Sequence, residues 1–207
     1  MRVIVTGASG FIGHNVLLRA PRDWEIVAVY HRTPGLETFV ARHRLAHVRP
    51  VQADLLDPDA VTRIAAECGG RADAVLYLAA NGDPAASVER PLWDLQSNTT
   101  ALVTFLEHCP ADHVVYLSSG AVYDGLDGPV TPGSPVSPRL PYAISKLASE
   151  QYLRFFAERR HAVGSYINVR FFAERRKTIG SYLNVRFFGA YGPYEPLRKI
   201  TDRKSVV

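Results

Sequence analysis

Short apolar runs alternate with longer amphipathic stretches along this chain. Val3-Ile4-Val5 comes first, followed by Ile26-Val27-Ala28-Val29, residues 48–51, Ala74-Val75-Leu76-Tyr77-Leu78 and Val114-Val115-Tyr116-Leu117. Rich in β-branched residues and bounded by Gly, Asp and Ser, these runs predict strands buried on both faces. Between them, residues 11–20, 58–67, 92–108 and 142–160 carry helical spacing. Strand and helix in alternation predict an α/β fold, a doubly wound parallel sheet with right-handed crossovers and helices on both faces.

Composition narrows the class. A chain of 207 residues that is 47% hydrophobic can bury a core without disulfide or metal staples. No apolar run approaches the roughly 18 residues of a membrane span, so no membrane partner is expected. Only three apolar residues separate Met1-Arg2 from Thr6-Gly7, too few for the core of a signal peptide. Cys68 and Cys109 fit no metal or redox spacing and read as reduced thiols, which predicts a cytoplasmic location. None of the seven histidines has a metal-like neighbour, and no metal is expected. The net charge is +4, but residues 154–169 carry +2 of it and the last six residues +1. The +1 that remains is a solvated surface, and no nucleic-acid partner is predicted.

The first strand runs into Thr6-Gly7-Ala8-Ser9-Gly10-Phe11-Ile12-Gly13, and a helix follows. In this strand–turn–helix setting Gly7 permits the tight turn and Gly10 lets backbone approach a pyrophosphate. Gly13 lets helix and strand pack closely. The helix N-terminus then offers free N–H groups to phosphates. The setting predicts a Rossmann-type dinucleotide site.

A glycine turn of this spacing resembles that of the short-chain dehydrogenase/reductase superfamily, and the likeness grows along the chain. Asp54-Leu55 resembles the pair beside the adenine, and Leu78-Ala79-Ala80 the wall beside the adenosine ribose. Asn98 resembles a mid-helix asparagine of the family. Leu117-Ser118-Ser119 and Tyr142-Ala-Ile-Ser-Lys146 resemble the catalytic set, and Gly189-Ala190-Tyr191-Gly192-Pro193 the late turn near the nicotinamide. Together they resemble the extended branch, the NAD-dependent epimerase/dehydratase family of nucleotide-sugar enzymes. The resemblance implies a cofactor-binding set of Gly7, Ser9, Gly10, Phe11, Ile12, Gly13, Arg32, Asp54, Leu55, Leu78, Ala79, Ala80 and Asn98, joined by Tyr142 and Lys146. The end of the second strand holds Tyr30-His31-Arg32 with no carboxylate. Arg32 suits a 2′-phosphate there, so NADP is favoured over NAD.

Tyr142 and Lys146 are four apart and share one helix face. The ammonium and the cofactor's positive ring would lower the phenol's pKa. Tyrosinate could then take a proton from a substrate hydroxyl while hydride leaves the adjacent carbon, with Ser119 sharing the charge. Ser119, Tyr142 and Lys146 are the predicted catalytic residues. Gly120 and Ala121 stand where the resembling dehydratases carry an Asp-Glu pair, and Gly189 where many relatives have Asn. The expectation is an NAD(P)-dependent nucleotide-sugar epimerase or reductase. A non-catalytic NAD(P)-sensing module and a reductase of a non-sugar alcohol or ketone are the alternatives.

Residues 154–169 are repeated at 170–185 with four substitutions. Deleting either copy restores one helix, one loop and one strand, so the repeat reads as an insertion. Connectivity favours a hybrid that takes its helix from the first copy and its strand from the second, extruding residues from about 161 to 176. Residues 1–196 are expected to form the dinucleotide-binding domain, with the substrate domain largely missing. The codons implied by residues 202–207 resemble a sequencing adapter, so 197–207 is expected to be a non-native tail. The fragment by itself is expected to be inactive. A homodimer of a full-length parent is left open.

Overall fold

A computed structural model of the chain describes residues 1–127, 129–131, 133–159 and 181–187. Six parallel strands form one sheet in the order β3-β2-β1-β4-β5-β6. They are β1 (Arg2–Thr6), β2 (Glu25–Tyr30), β3 (Val48–Gln52), β4 (Ala72–Tyr77), β5 (Ala111–Ser119) and β6 (Ser181–Phe187). The helices are α1 (Phe11–Arg19), α2 (Leu36–Arg42), α3 (Pro58–Glu67), α4 (Pro84–Glu89), α5 (Pro91–Leu95), α6 (Ala101–His108) and α7 (Pro141–Arg159).

The strand runs lack polar alternation because both faces of the sheet are covered. Val3, Val5, Ile26 and Ala28 pack with Leu17, Leu36 and Phe39 on one face. Ile4, Val27, Val75, Tyr77, Val114 and Tyr116 pack with Ile64, Leu102, Phe105 and Leu153 on the other. Neighbouring positions of β1 thus serve opposite cores, and each fully buried aliphatic or aromatic side chain contributes about 1.5–3 kcal/mol.

The expected helix 58–67 is α3, whereas three other helical features, α4, α2 and the stretch 92–108, differ from the expectation. Asp57-Pro58 starts α3 with the aspartate accepting from Asp59 N–H at 2.9 Å. Asp83-Pro84 starts α4 in the same way, accepting from Ala85 N–H at 3.0 Å, a start signal that is local in the sequence. The seven-residue α2 follows Gly35, which has φ +98° and no capping side chain, so no cap marks it in the sequence. The expected helix 92–108 is α5, a π-helical turn Gln96–Thr100 and α6.

The helix α7 ends inside the first repeat copy, and the strand beside β5 belongs to the second, with Val115 opposite Leu183 and Ser119 opposite Phe187. Both halves of the expected hybrid are in place. The extruded excursion and the tail lie outside the described residues, as does the 189–193 turn.

Candidate functional site

Strands β1 and β4 are neighbours, but the crossovers from β1 and from β4 leave in opposite directions, which opens a crevice at their C-terminal ends. The loop after each strand is held by one hydroxyl. Thr6 Oγ1 accepts from Leu78 N–H and Ala79 N–H, each at 3.1 Å. Gly7, at φ +65°, passes so close beneath that a Cβ there would lie 2.8 Å from Ala79 N. Gly13 is equally constrained: a Cβ would sit 2.5 Å from the Ala8 carbonyl oxygen. Its close contact is thus with the turn, not with the strand as expected. Gly10 precedes α1 without any capping side chain, leaving the first-turn N–H groups for an anion.

A cavity of about 680 Å³ occupies this crevice. Gly7, Ser9, Gly10, Arg32, Asp54, Leu55, Leu78, Ala79 and Ala80 all line it, together with Tyr30, His31, Asn81, Arg90 and Trp93. The polarity, the glycine turn and the uncapped helix fit a dinucleotide. Phe11, Ile12, Gly13, Asn98, Ser119, Tyr142 and Lys146 lie outside the lining. Two carboxylates reach the end of β2 through space, the expected Asp54 and Glu37, which the sequence did not single out. His31 Nε2 is 3.5 Å from Asp54 Oδ2, and the Tyr30 phenol donates to Glu37. That hydrogen bond lowers the carboxyl pKa of Glu37 and raises the phenol's.

Strand β5 carries Ser119 at its end, where Ala121 N–H donates to its hydroxyl at 3.1 Å and starts a 3₁₀ turn, Gly120–Tyr123. Tyr142 stands in the first turn of α7, its N–H donating to Ser87 Oγ at 3.1 Å. One turn on, Lys146 is only 3% exposed. Its ammonium donates to the Leu117 carbonyl at 2.8 Å and lies 4.8 Å from the centre of the Tyr116 ring. The electrostatics differ from the expectation. Burial raises the pKa of Tyr142, a hydrogen bond from Ser119 opposes it, and the charge of Asp94 raises it further. The lysine moves instead: burial lowers Lys146 to about 8, against the upward pull of Asp94 and Glu150. Desolvation penalises the charged form of each group, and that cost was not weighed in the sequence.

Asn98 is fully buried and its amide is used within the protein. Its oxygen accepts from Asn81 N–H at 2.7 Å, and its nitrogen donates to Asp94 and to Ser145, each at 2.9 Å. The amide of Asn98, expected among the cofactor contacts, is thus engaged by groups of the protein itself. Behind α7, Glu150 accepts from Ser118 at 2.6 Å and from Arg186 Nε and Nη2 at 2.9 and 2.6 Å. Arg186 also donates to the Tyr123 hydroxyl. Asp94, Asn81, Ser145, Glu150 and Arg186 escaped the sequence reading, although Ser145 and Glu150 lie one before and four after Lys146. Cys68 and Cys109 are both free and buried, and burial pushes the Cys109 thiol up to about 12, which leaves it inert. Among the described residues, no helix is long and apolar enough to cross a membrane.

The sequence profile of the NAD dependent epimerase/dehydratase family matches residues 3–205. A UDP-glucose 4-epimerase of Azospirillum brasilense is 34% identical over 160 residues, 74% of this chain and 44% of the relative. A dTDP-glucose 4,6-dehydratase of Mycobacterium tuberculosis is 29% identical over 99% of this chain and 58% of its own length. The solved structure of MoeE5 in complex with UDP-glucose and NAD superposes with a TM-score of 0.73. It is 27% identical, over 98% of this chain and 59% of that one. The chain spans about half the length of the curated relatives it matches.

Proposed function

Because this chain belongs to the NAD dependent epimerase/dehydratase family, we propose that it is the cofactor-binding part of a nucleotide-sugar epimerase or reductase working through Ser119, Tyr142 and Lys146. The observation that carries the reading is that Ser119 at the end of β5 lies close enough to Tyr142 to pull its pKa down, one turn from the buried Lys146, at the same end of the sheet as the glycine-lined cavity.

In this reading the turn after β1 and the uncapped start of α1 hold the diphosphate. Asp54 and Leu55 border the adenine, and Leu78, Ala79 and Ala80 wall the ribose. Bound nicotinamide supplies the hydride acceptor and donor. Tyr142 takes the proton of a sugar hydroxyl, and Ser119 shares the charge left on the phenol oxygen. The phenol is protonated in the described surroundings, so Lys146 must keep its own charge to make the phenolate accessible.

An epimerase or reductase is favoured over a dehydratase. Gly120 and Ala121 carry no carboxylate, and the nearby acids Asp94 and Glu150 are buried and hydrogen-bonded elsewhere. The finer cofactor reading is NADP, because Arg32 lines the cavity and, among the described residues, no ion pair engages it. UDP- or dTDP-sugars are the substrate class suggested by the relatives. A non-catalytic sensor would not need the Ser119–Tyr142–Lys146 arrangement.

The test uses the full-length protein. Tyr142→Phe should abolish the transient reduced-nicotinamide absorbance on mixing with UDP-sugars while leaving cofactor affinity nearly unchanged. Normal turnover by that variant would overturn the assignment.

A further inference from the structure

Asp94 is a fully buried carboxylate whose hydrogen-bond partners are all neutral. Oδ1 accepts from Asn81 Nδ2 at 2.7 Å and from Asn98 Nδ2 at 2.9 Å, and Oδ2 accepts from Ser145 Oγ at 2.7 Å. Among the described residues no cation forms an ion pair with it. A buried carboxylate without a compensating charge is costly, so the surroundings must supply one. Three neutral donors relieve the hydrogen-bonding demand but not the charge.

The compensating charge is next to Ser145. Lys146 is buried and donates to one neutral carbonyl, and among the described residues no carboxylate is in ion-pair contact with it. Its charged neighbours are Asp94 from α5 and Glu150 from its own helix. Tyr116 of β5 faces it as well. Glu150 is already matched by the two-point contact with Arg186. The four charges therefore resolve into two neutral pairs, Glu150 with the partly buried Arg186 and Asp94 with Lys146.

We propose that Asp94 is a positioning residue that acts through Lys146: held on Ser145, the residue before the lysine, it is the lysine's counter-ion without direct contact, and it locks Asn81, Asn98 and Ser145 around the catalytic helix. Its importance for chemistry rests on the proposed role of Lys146; its pairing with Lys146 does not. Without Asp94 the ammonium would stand in a region that retains only Glu150, a charge already neutralised, and the lysine would lose its proton near neutral pH.

The test is a double-mutant cycle on this chain, read by thermal unfolding without cofactor or substrate. Asp94→Asn preserves the hydrogen bonds, since its amide oxygen can accept from Asn81 and Asn98 and its amide nitrogen can donate to Ser145; only the charge is lost. At pH 7, Asp94→Asn should lower the midpoint by roughly 5–10 °C when Lys146 is present. In the Lys146→Met background the same change should cost less than half as much, and that difference is the recovery. The recovery should shrink at pH 9.5, where Lys146 of the parent chain is mostly neutral. If Asp94→Asn folds only when combined with Lys146→Met, the pairing is likewise supported. Additive losses, a recovery unchanged by pH, or a double variant that fails to fold while Lys146→Met folds, would each overturn it. Titration of the same proteins with NAD and NADP separates this outcome from failure of the cofactor reading.

Discussion

Replacing Arg186 by Met asks which repeat copy is seated in the sheet. Arg186 and Glu150 are 14% and 5% exposed, and their two hydrogen bonds join β6 to α7. Removing the guanidinium leaves the carboxylate buried with Ser118 as its remaining hydrogen-bond donor. Stranding one member of a buried pair costs about 3–5 kcal/mol. For a chain of this length that is a drop on the order of 10 °C in the unfolding midpoint. The guanidinium carbon also lies 4.8 Å from the centre of the Tyr123 ring, and loss of that cation–π contact adds to the cost.

The repeat supplies an internal control. Arg170 follows the first copy's Ser165-Tyr-Ile-Asn-Val just as Arg186 follows the second copy's Ser181-Tyr-Leu-Asn-Val. The two segments differ only by Ile167 against Leu183, so propensity and apolar burial barely distinguish them. Arg170→Met should leave the midpoint of a circular-dichroism melt unchanged within about 1 °C. A large loss from Arg170→Met and none from Arg186→Met would show the first copy in the sheet. Small losses from each, with a full loss only when both are replaced, would show the strands exchanging. Either result would refute the seating described above.

Gly7→Ala should destabilise the chain by about 1–3 kcal/mol, because φ is +65° and the new Cβ meets Ala79 N. Calorimetry measures that loss, and cofactor titration should show binding abolished. Lys146 has a folded pKa of about 8 against an ordinary 10.5, so the unfolded chain binds more protons between those values. Stability from this group therefore rises from pH 8 upward by about 3 kcal/mol in full, until the raised pKa values of Tyr77, Tyr116 and Tyr142 oppose it above pH 10. Urea midpoints at pH 8, 9 and 10 should rise for the parent chain and flatten for Lys146→Met. Arg32→Ala should weaken NADP by about 1.5–3 kcal/mol while leaving NAD unchanged, and equal losses for both in calorimetric titration would count against the 2′-phosphate contact.

Much of the fold was legible because its signals are local. Continuous apolar strands such as residues 26–29 reveal burial on both faces, and the glycine turn needs only eight consecutive residues to show its geometry. The cavity lining follows from the same logic, since every parallel strand delivers its following loop to one end of the sheet. Thr6 was visible as the residue before Gly7, but its hydroxyl's hold on Leu78 and Ala79 spans more than seventy positions. The π-helical turn was hidden in helix 92–108, because a single widened turn leaves the apolar spacing nearly intact. It nevertheless leaves the Asn98 carbonyl to Ser149 at 3.3 Å and lets Thr99 donate to the Ser145 carbonyl at 2.9 Å.

The site's charge state was illegible for a different reason. Spacing places Tyr142 and Lys146 on one helix face, and from that alone the cation is expected to draw the phenol downward. The outcome depends on how much water each group loses and on which distant residues return the lost stabilisation. Desolvation acts on both members at once, raising one and lowering the other, so proximity no longer predicts the sign. Asp94 and Glu150 both act on Lys146, one from a short helix begun by a proline and one from the next turn of its own helix. A carboxylate that nothing in the sequence singles out thus becomes, once α5 packs on α7, the group on which the lysine's proton depends in the proposed pairing. The phenol can be activated only while that proton stays in place, so the chemistry at Tyr142 depends on a residue 48 positions earlier that touches neither sugar nor cofactor in the proposed arrangement.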